Sequence, residues 1–152
     1  MSNAAKSTSS TGFSSLANRW LPVYLRVFGV FAFLFGAMVV AVCAFDMPLN
    51  DVLARIFRWN MDPAEFPPSA MLGSIYVVWG IFIWFSARNP RANRMFIDFT
   101  VAGNAAHGSI MAYMALTMSG KMGHLLTDTM LLLVGVPVML ALWLPVRAHS
   151  NQ

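Results

Sequence analysis

Two short segments of the chain place ionisable and hydrogen-bonding side chains inside otherwise apolar sequence. They are FIDFTVAGNAAHGSIMAYM, residues 96–114, and GHLLTDT, residues 123–129. An ionisable side chain at the centre of a membrane span costs at least about 2.5–3.5 kcal/mol, so it faces a protein interior or a water-filled cavity. The polar residues of both segments are therefore the candidate functional residues: Asp98, Thr100, Asn104, His107, His124 and Asp128.

The spacing in the first segment predicts one polar helical face. Thr100, Asn104, His107 and Met111 follow one another at intervals of four, three and four residues. Side chains three and four positions apart lie above one another on an α-helix. Asp98 lies on the opposite side of that helix, where we expect it to pair with Arg94 or a neighbouring arginine.

The second segment adds a histidine and a carboxylate one turn apart. His124 and Asp128 are four residues apart and are neighbours on one helical face. A carboxylate beside an imidazole fixes the tautomer of the ring. A helical hairpin folded about Gly120 would bring this pair toward Asn104 and His107. The expected outcome is a buried polar cluster, whose plainest role is interhelical hydrogen bonding.

Three chemical roles remain open for this cluster. Haem or pigment could be ligated by His107 as an axial ligand, with His124 as a second cofactor-binding candidate at a different depth. Copper(I) prefers soft thioethers, and its candidate ligands are His107, Met111 and Met114. A proton or small-solute path would use His124 and Asp128. The default expectation is that no cofactor is bound.

The composition identifies the elements that position these residues. Of the 152 residues, 58% are apolar and 11% are charged, against about 25% charged in soluble domains. Four apolar blocks are long enough to cross a bilayer as helices: 21–45, 69–86, 92–118 and 122–145. We predict an all-α integral membrane protein, a four-transmembrane-helix bundle. Pairs of glycines seven residues apart, Gly29 with Gly36 and Gly73 with Gly80, predict close packing of the first two spans.

The remaining segments are short. Apolar residues at helical spacing in 49–58 predict a short interfacial amphipathic helix between spans one and two. We divide the chain into a disordered cytoplasmic tail over 1–15, one transmembrane domain over 16–147 and a short cytoplasmic tail over 148–152.

The distribution of charge predicts the orientation of the protein. Seven of the ten basic residues lie on the side that holds both termini and the 87–94 loop. The positive-inside rule then places both termini in the cytoplasm, with the protein in a bacterial inner membrane. The net charge of +4 is thus explained by topology, and no nucleic-acid partner is expected.

Motifs for catalysis are missing from the sequence. It has no G-x-S-x-G, no H-E-x-x-H and no phosphate-binding loop. We expect a non-enzymatic accessory, binding or transport-related membrane component. Two alternatives stay open: a redox protein that ligates haem, pigment or copper through His107, and a structural subunit of a larger membrane complex. The expected partners are the lipid bilayer, other membrane subunits or a second copy of the chain.

The same two polar segments resemble the BphX-like family of small bacterial membrane proteins. The matching residues are Asp98, Phe99, Thr100, Asn104, His107, Gly108 and Met111, followed by Gly123, His124, Leu125 and Asp128. The resemblance covers mainly the C-terminal half of the chain. It implies four membrane helices, an unknown function and a partial association with gene clusters for the degradation of aromatic compounds. It supplies no catalytic residue.

Overall fold

The computed structural model describes residues 4–45, 64, 66–120, 122–126 and 128–148. The helices of this part of the chain are α1 (Ala4–Ala44), α2 (Phe66–Ser86), α3 (Arg94–Thr117), a 3-10 helix (Met122–Leu126) and α4 (Asp128–Ala148). The described residues contain no strand, so the all-α prediction is confirmed. The interfacial helix predicted at 49–58 lies outside the described residues.

The first helix begins earlier than the division of the chain at residue 15 would place it. Helix α1 starts at Ala4 and runs without interruption to Ala44. Alanine and lysine at its start are good helix formers. Pro22 lies inside the helix. The division of the chain at residue 15 stays a prediction.

Helices α1 and α2 pack through their glycines. A Cβ atom added to Gly36 would lie 2.5 Å from the carbonyl oxygen of Gly73, and one added to Gly80 would lie 2.5 Å from the amide nitrogen of Phe33. Gly29 similarly faces the backbone of Gly80. No side chain fits at these distances, so the predicted role of the glycines in helix packing is confirmed.

All four helices meet in one core at the end of the bundle that carries the loop 87–93, which we call the basic end. Leu21 and Leu25 from α1, Ile83 from α2, Ile97 from α3 and Trp143 from α4 are at most 1% exposed. This core fixes the relative positions of the helices. The polar face of α3 is consequently held toward the interior of the bundle.

Two of the helices are long and apolar enough to cross a membrane. They cover Phe13–Ala44 and Phe66–Ser86, and Leu132–Ala148 is a shorter apolar helix. Helices α3 and α4 form the expected antiparallel hairpin, in which Gly120 adopts a positive φ of 76°. Gly108 lies against Leu132, since a Cβ on this glycine would be 3.1 Å from the leucine Cβ.

Candidate functional site: a small cavity at His107

A cavity of about 40 Å³ lies between the helices at the level of His107. Residues from all four helices line it, among them Phe35 from α1, Tyr76 from α2, Leu132 from α4, and Asn104, His107 and Met111 from α3. The polar face predicted from the spacing in α3 thus supplies the imidazole and the carboxamide of the cavity wall, and Tyr76 from α2 adds a phenol group. The rest of its wall is mainly aromatic and aliphatic.

The aromatic ring of Tyr76 lies against the imidazole of His107. The ring centroid of Tyr76 lies 5.9 Å from that of His107, with the planes tilted by 57°. Tyr76 also meets Phe35 edge-on at 6.0 Å and stacks on Trp79 at 5.9 Å. Tyr76 is therefore fixed on three sides and positions the histidine side chain in turn.

Hydrogen bonds join the polar residues on the basic-end side of the cavity. The Asn104 side-chain nitrogen donates to the carbonyl oxygen of Thr100 at 2.8 Å. The Trp79 indole N–H donates to the Thr100 hydroxyl oxygen at 3.0 Å. Thr100 and Asn104 are both buried. Trp79 thus joins α2 to α3, whereas the hydrogen bonding expected between spans three and four stays a prediction.

Asp98 belongs to a different group of side chains. Its Oδ2 atom lies 3.1 Å from Nη2 of Arg147, and its Oδ1 atom accepts a hydrogen bond of 2.7 Å from the indole nitrogen of Trp143. Asp98 is absent from the cavity wall. The expected ion pair with an arginine is present, and the arginine comes from α4. This group joins α3 to α4 at the basic end.

The polar residues of the second segment lie toward the other end of the hairpin. His124 is buried within the 3-10 helix and is not part of the cavity wall. Asp128 begins α4, but its side chain is outside the described part of the structure, so its pairing with His124 stays a prediction. Thr129 is fully buried, and its hydroxyl has no hydrogen-bond partner within the described residues.

The structure also bears on the candidate metal and cofactor ligands. His107 and Met111 share the cavity wall, whereas Met114 lies outside it. The described residues contain no group of three His, Cys, Asp or Glu side chains arranged to hold a metal ion. A cavity of about 150 Å³ accommodates benzene, so the smaller cavity at His107 does not admit a porphyrin. A copper site with one nitrogen and one thioether ligand from this wall stays a prediction.

The volume of the cavity limits the size of any ligand. One buried water needs about 10–15 Å³, so the available volume fits a few waters or a solute with a few non-hydrogen atoms. The imidazole and the carboxamide both donate and accept hydrogen bonds. The sequence pattern does not identify Phe35 and Tyr76, because their approach to His107 depends on the register between helices. Tyr76, a tyrosine within an apolar span, was the one local signal.

A family model matches most of the chain. The model of a family described as "Family of unknown function (DUF6632)" matches residues 24–151. No curated protein matches the chain, and no solved structure matches it either. The expectation of a family of unknown function is confirmed. Nothing in these comparisons supports the BphX-like assignment, which stays a prediction.

Proposed function

The chain belongs to the DUF6632 family of unknown function, and we propose that it is a non-enzymatic solute-binding membrane protein with four spans. Its ligand is a neutral solute of a few non-hydrogen atoms that both donates and accepts hydrogen bonds. The observation that carries this proposal is the cavity lined by all four helices, whose wall contains the hydrogen-bonding side chains of His107, Asn104 and Tyr76.

The exposed apolar surface supports a membrane location. Only 39% of the most apolar part of α1 and 22% of that of α2 are buried. Val27, Met71 and Phe82 are each more than half exposed. Apolar surface this extensive is rare on soluble monomers, where it would be exposed to water. In a membrane the same surface lies against lipid tails. A core helix of a soluble protein would instead be mostly buried.

Helices α3 and α4 have the length of the two further spans. They contain 24 and 21 residues, which correspond to about 36 and about 32 Å at 1.5 Å per residue. The hydrocarbon core of a bilayer is about 30 Å thick. The excess of basic residues on the side of the 87–94 loop supports termini in the cytoplasm and a place in the inner membrane.

Binding is favoured over passage through the bundle. On the basic-end side of the cavity, Thr100 already bonds to Trp79, and Asp98 is engaged by Trp143 and Arg147. The polar groups on this side are therefore already paired with protein partners, as expected of a binding site closed on this side. A small-solute path and a subunit role in a larger complex are the competing functions.

The proposal is tested by the thermal stability of the purified protein in the presence of acetamide. Acetamide has four non-hydrogen atoms and carries both a donor and an acceptor. At a concentration 100 times its dissociation constant, a ligand stabilises the folded state by about 2.7 kcal/mol. We expect the unfolding temperature to rise saturably with acetamide, and not with the larger benzamide.

Two variants separate binding at His107 from a general solvent effect. His107→Phe fills the cavity and removes its main donor and acceptor, so the acetamide response is lost. Met111→Leu keeps the volume of an apolar wall residue, so the response is kept. An equal response in the wild type and His107→Phe would refute binding in this cavity. If acetamide enters proteoliposomes that contain the wild type faster than those that contain His107→Phe, a small-solute path would be favoured over binding.

A further inference from the structure

An apolar groove runs along the surface where α1 and α2 pack against each other. Its first hollow measures about 280 Å³ and lies over Gly29 and Gly80, between Val30 and Ile81. The two glycines have no side chains to fill the space above the contact between the helices. Val30 and Ile81 are 42% and 40% exposed, so this hollow opens on the outer surface of the bundle.

The groove continues along both helices away from the basic end. Its second hollow measures about 400 Å³, and Ala37 and Ala41 from α1 and Val77 from α2 are among the residues that line it. Ala37 lies one turn beyond Phe33, which lines the first hollow, and on the same helical face. From Gly29 to Ala41 the rise is about 18 Å at 1.5 Å per residue. Half of the hydrocarbon core is about 15 Å thick, so the groove has the length of an acyl chain in one leaflet.

Arg88 lies at the basic end of the first hollow. Its guanidinium carbon is 4.7 Å from the centroid of the Phe85 ring, and Phe85 is one of the residues that line this hollow. Arg88 is exposed. A contact within the structure therefore places a cation directly at the groove.

Arg26 of α1 lies at the same end of the groove. Arg26, Val30 and Phe33 follow one another at intervals of four and three residues and share one helical face, and Val30 and Phe33 line the first hollow. Gly29 faces the backbone of Trp84, so Arg26, three residues before it, is level with the last turn of the antiparallel α2. Arg26 is exposed.

The elements that form the groove contain no acidic residue. Neither α1 nor α2 has an Asp or Glu, and the loop 87–93 has none either. Asp98 of α3, at the same end of the bundle, is engaged by Arg147 and Trp143 of α4. An apolar groove with two cations at its membrane-surface end has the charge pattern that an anionic lipid complements.

We propose that this groove binds one anionic phospholipid, with the phosphate at Arg26 and Arg88 and an acyl chain along the two hollows. The guanidinium group is a planar set of donors that matches the geometry of phosphate. Trp84 lines the first hollow and is 41% exposed, and tryptophan is enriched at the level of lipid headgroups. The inference rests on the membrane insertion that the proposed function requires.

Charge disfavours a second copy of the chain as the occupant. Two copies in one membrane share the same orientation, so helices packed side by side at this groove would bring their basic ends together. Each copy would then place Arg26 and Arg88 next to the same two residues of the other. An anionic lipid instead neutralises these charges.

Native mass spectrometry of the whole protein tests the site. The protein is released from nanodiscs that contain equal amounts of phosphatidylglycerol and phosphatidylcholine with identical acyl chains. We expect one phosphatidylglycerol to be retained, in clear preference to phosphatidylcholine. Val30→Trp fills the first hollow and should abolish this preference. Ile75→Trp, at an exposed position in the space between α2 and α3, is the matched control and should keep it.

The arginines are tested separately from the hollows. Arg26→Gln and Arg88→Gln should each lower the retention of phosphatidylglycerol about five-fold. Arg94→Gln removes an exposed charge of α3, which does not line the groove, and should leave the retention unchanged.

Four results would overturn the proposal: equal retention of both lipids, no effect of Val30→Trp, an equal loss in Arg88→Gln and Arg94→Gln, or a dimer without lipid. Protein that inserts into nanodiscs but lacks lipid selectivity refutes this site alone, whereas failure to insert refutes the proposed function.

Discussion

At the scale of single residues, Asp98 combines two contacts that differ in their energetic weight. The ion pair joins the Arg147 side chain, which is 46% exposed, to the Asp98 side chain, which is 34% exposed. Exposed ion pairs contribute about 0–1 kcal/mol to stability. The hydrogen bond comes from Trp143, which is 1% exposed. The buried indole N–H therefore depends on the carboxylate oxygen more than the arginine does.

This difference predicts unequal effects of two substitutions at Asp98. Asp98→Asn keeps an oxygen acceptor for Trp143 and should lower the free energy of unfolding by less than about 1 kcal/mol. Asp98→Ala leaves the buried N–H unpaired and should cost about 1–3 kcal/mol. Unfolding in detergent, followed by tryptophan fluorescence, measures both. Equal losses would show that the ion pair dominates.

A second residue-scale prediction concerns Thr129. Its hydroxyl is fully buried and has no partner among the described residues, and an unpaired buried hydroxyl costs about 1–3 kcal/mol. Thr129→Val has nearly the same shape and should raise the free energy of unfolding by about 1 kcal/mol, while Thr129→Ser should not. A loss of stability in Thr129→Val would mean that the hydroxyl is bonded in the folded protein.

The residues of the site were predictable to different degrees. Asn104, His107 and Met111 were found because the helical period alone places them on one face. Tyr76 and Phe35 could not be found in this way, because no period within one helix fixes its register against another. The partner of Asp98 was predicted as an arginine, but the identity of Arg147 depends on how α3 and α4 pack.

At the scale of helices, the glycine contacts between α1 and α2 determine how closely these two helices approach. Gly36→Ala places a methyl group 2.5 Å from the Gly73 carbonyl oxygen, and only a movement of the helices relieves this. We expect a loss of about 1–3 kcal/mol in the free energy of unfolding, as for other overpacked sites. Gly123→Ala, with nothing within 4 Å of the added atom, is the control.

A substitution at Gly36 that proved as mild as Gly123→Ala would mean that α1 and α2 are further apart than the structure shows. The ends of α2 and α3 were predicted to within about three residues, since long apolar blocks and the turns between them define these ends. The start of α1 at Ala4 was not, because the apolar block begins only at residue 21. The glycine faces were predicted as well. The pairing of Gly29 with Gly80 and of Gly36 with Gly73 was not, because it depends on the loop length and on the crossing of the helices.

At the scale of the whole molecule, the proposed topology places the basic end and the α3–α4 turn on opposite sides of the membrane. Cys43 is the only cysteine of the chain, so Cys43→Ser gives a cysteine-free background. Ala92 and Ser119 are exposed at the two ends. A membrane-impermeant maleimide added to intact cells should label Ser119→Cys and spare Ala92→Cys. Labelling of both positions from one side would refute four spans.

The most direct test of the central claim is histidine NMR of the protein labelled with ¹⁵N in its three histidines. Acetamide is added stepwise to the protein in detergent. A ligand in the cavity contacts His107 but not His124, which lies outside its wall. We predict saturable shifts of the His107 ring nitrogens, with His124 unchanged and the shifts lost in Asn104→Leu. Unshifted His107 signals, or equal shifts of all three histidines, would contradict the account.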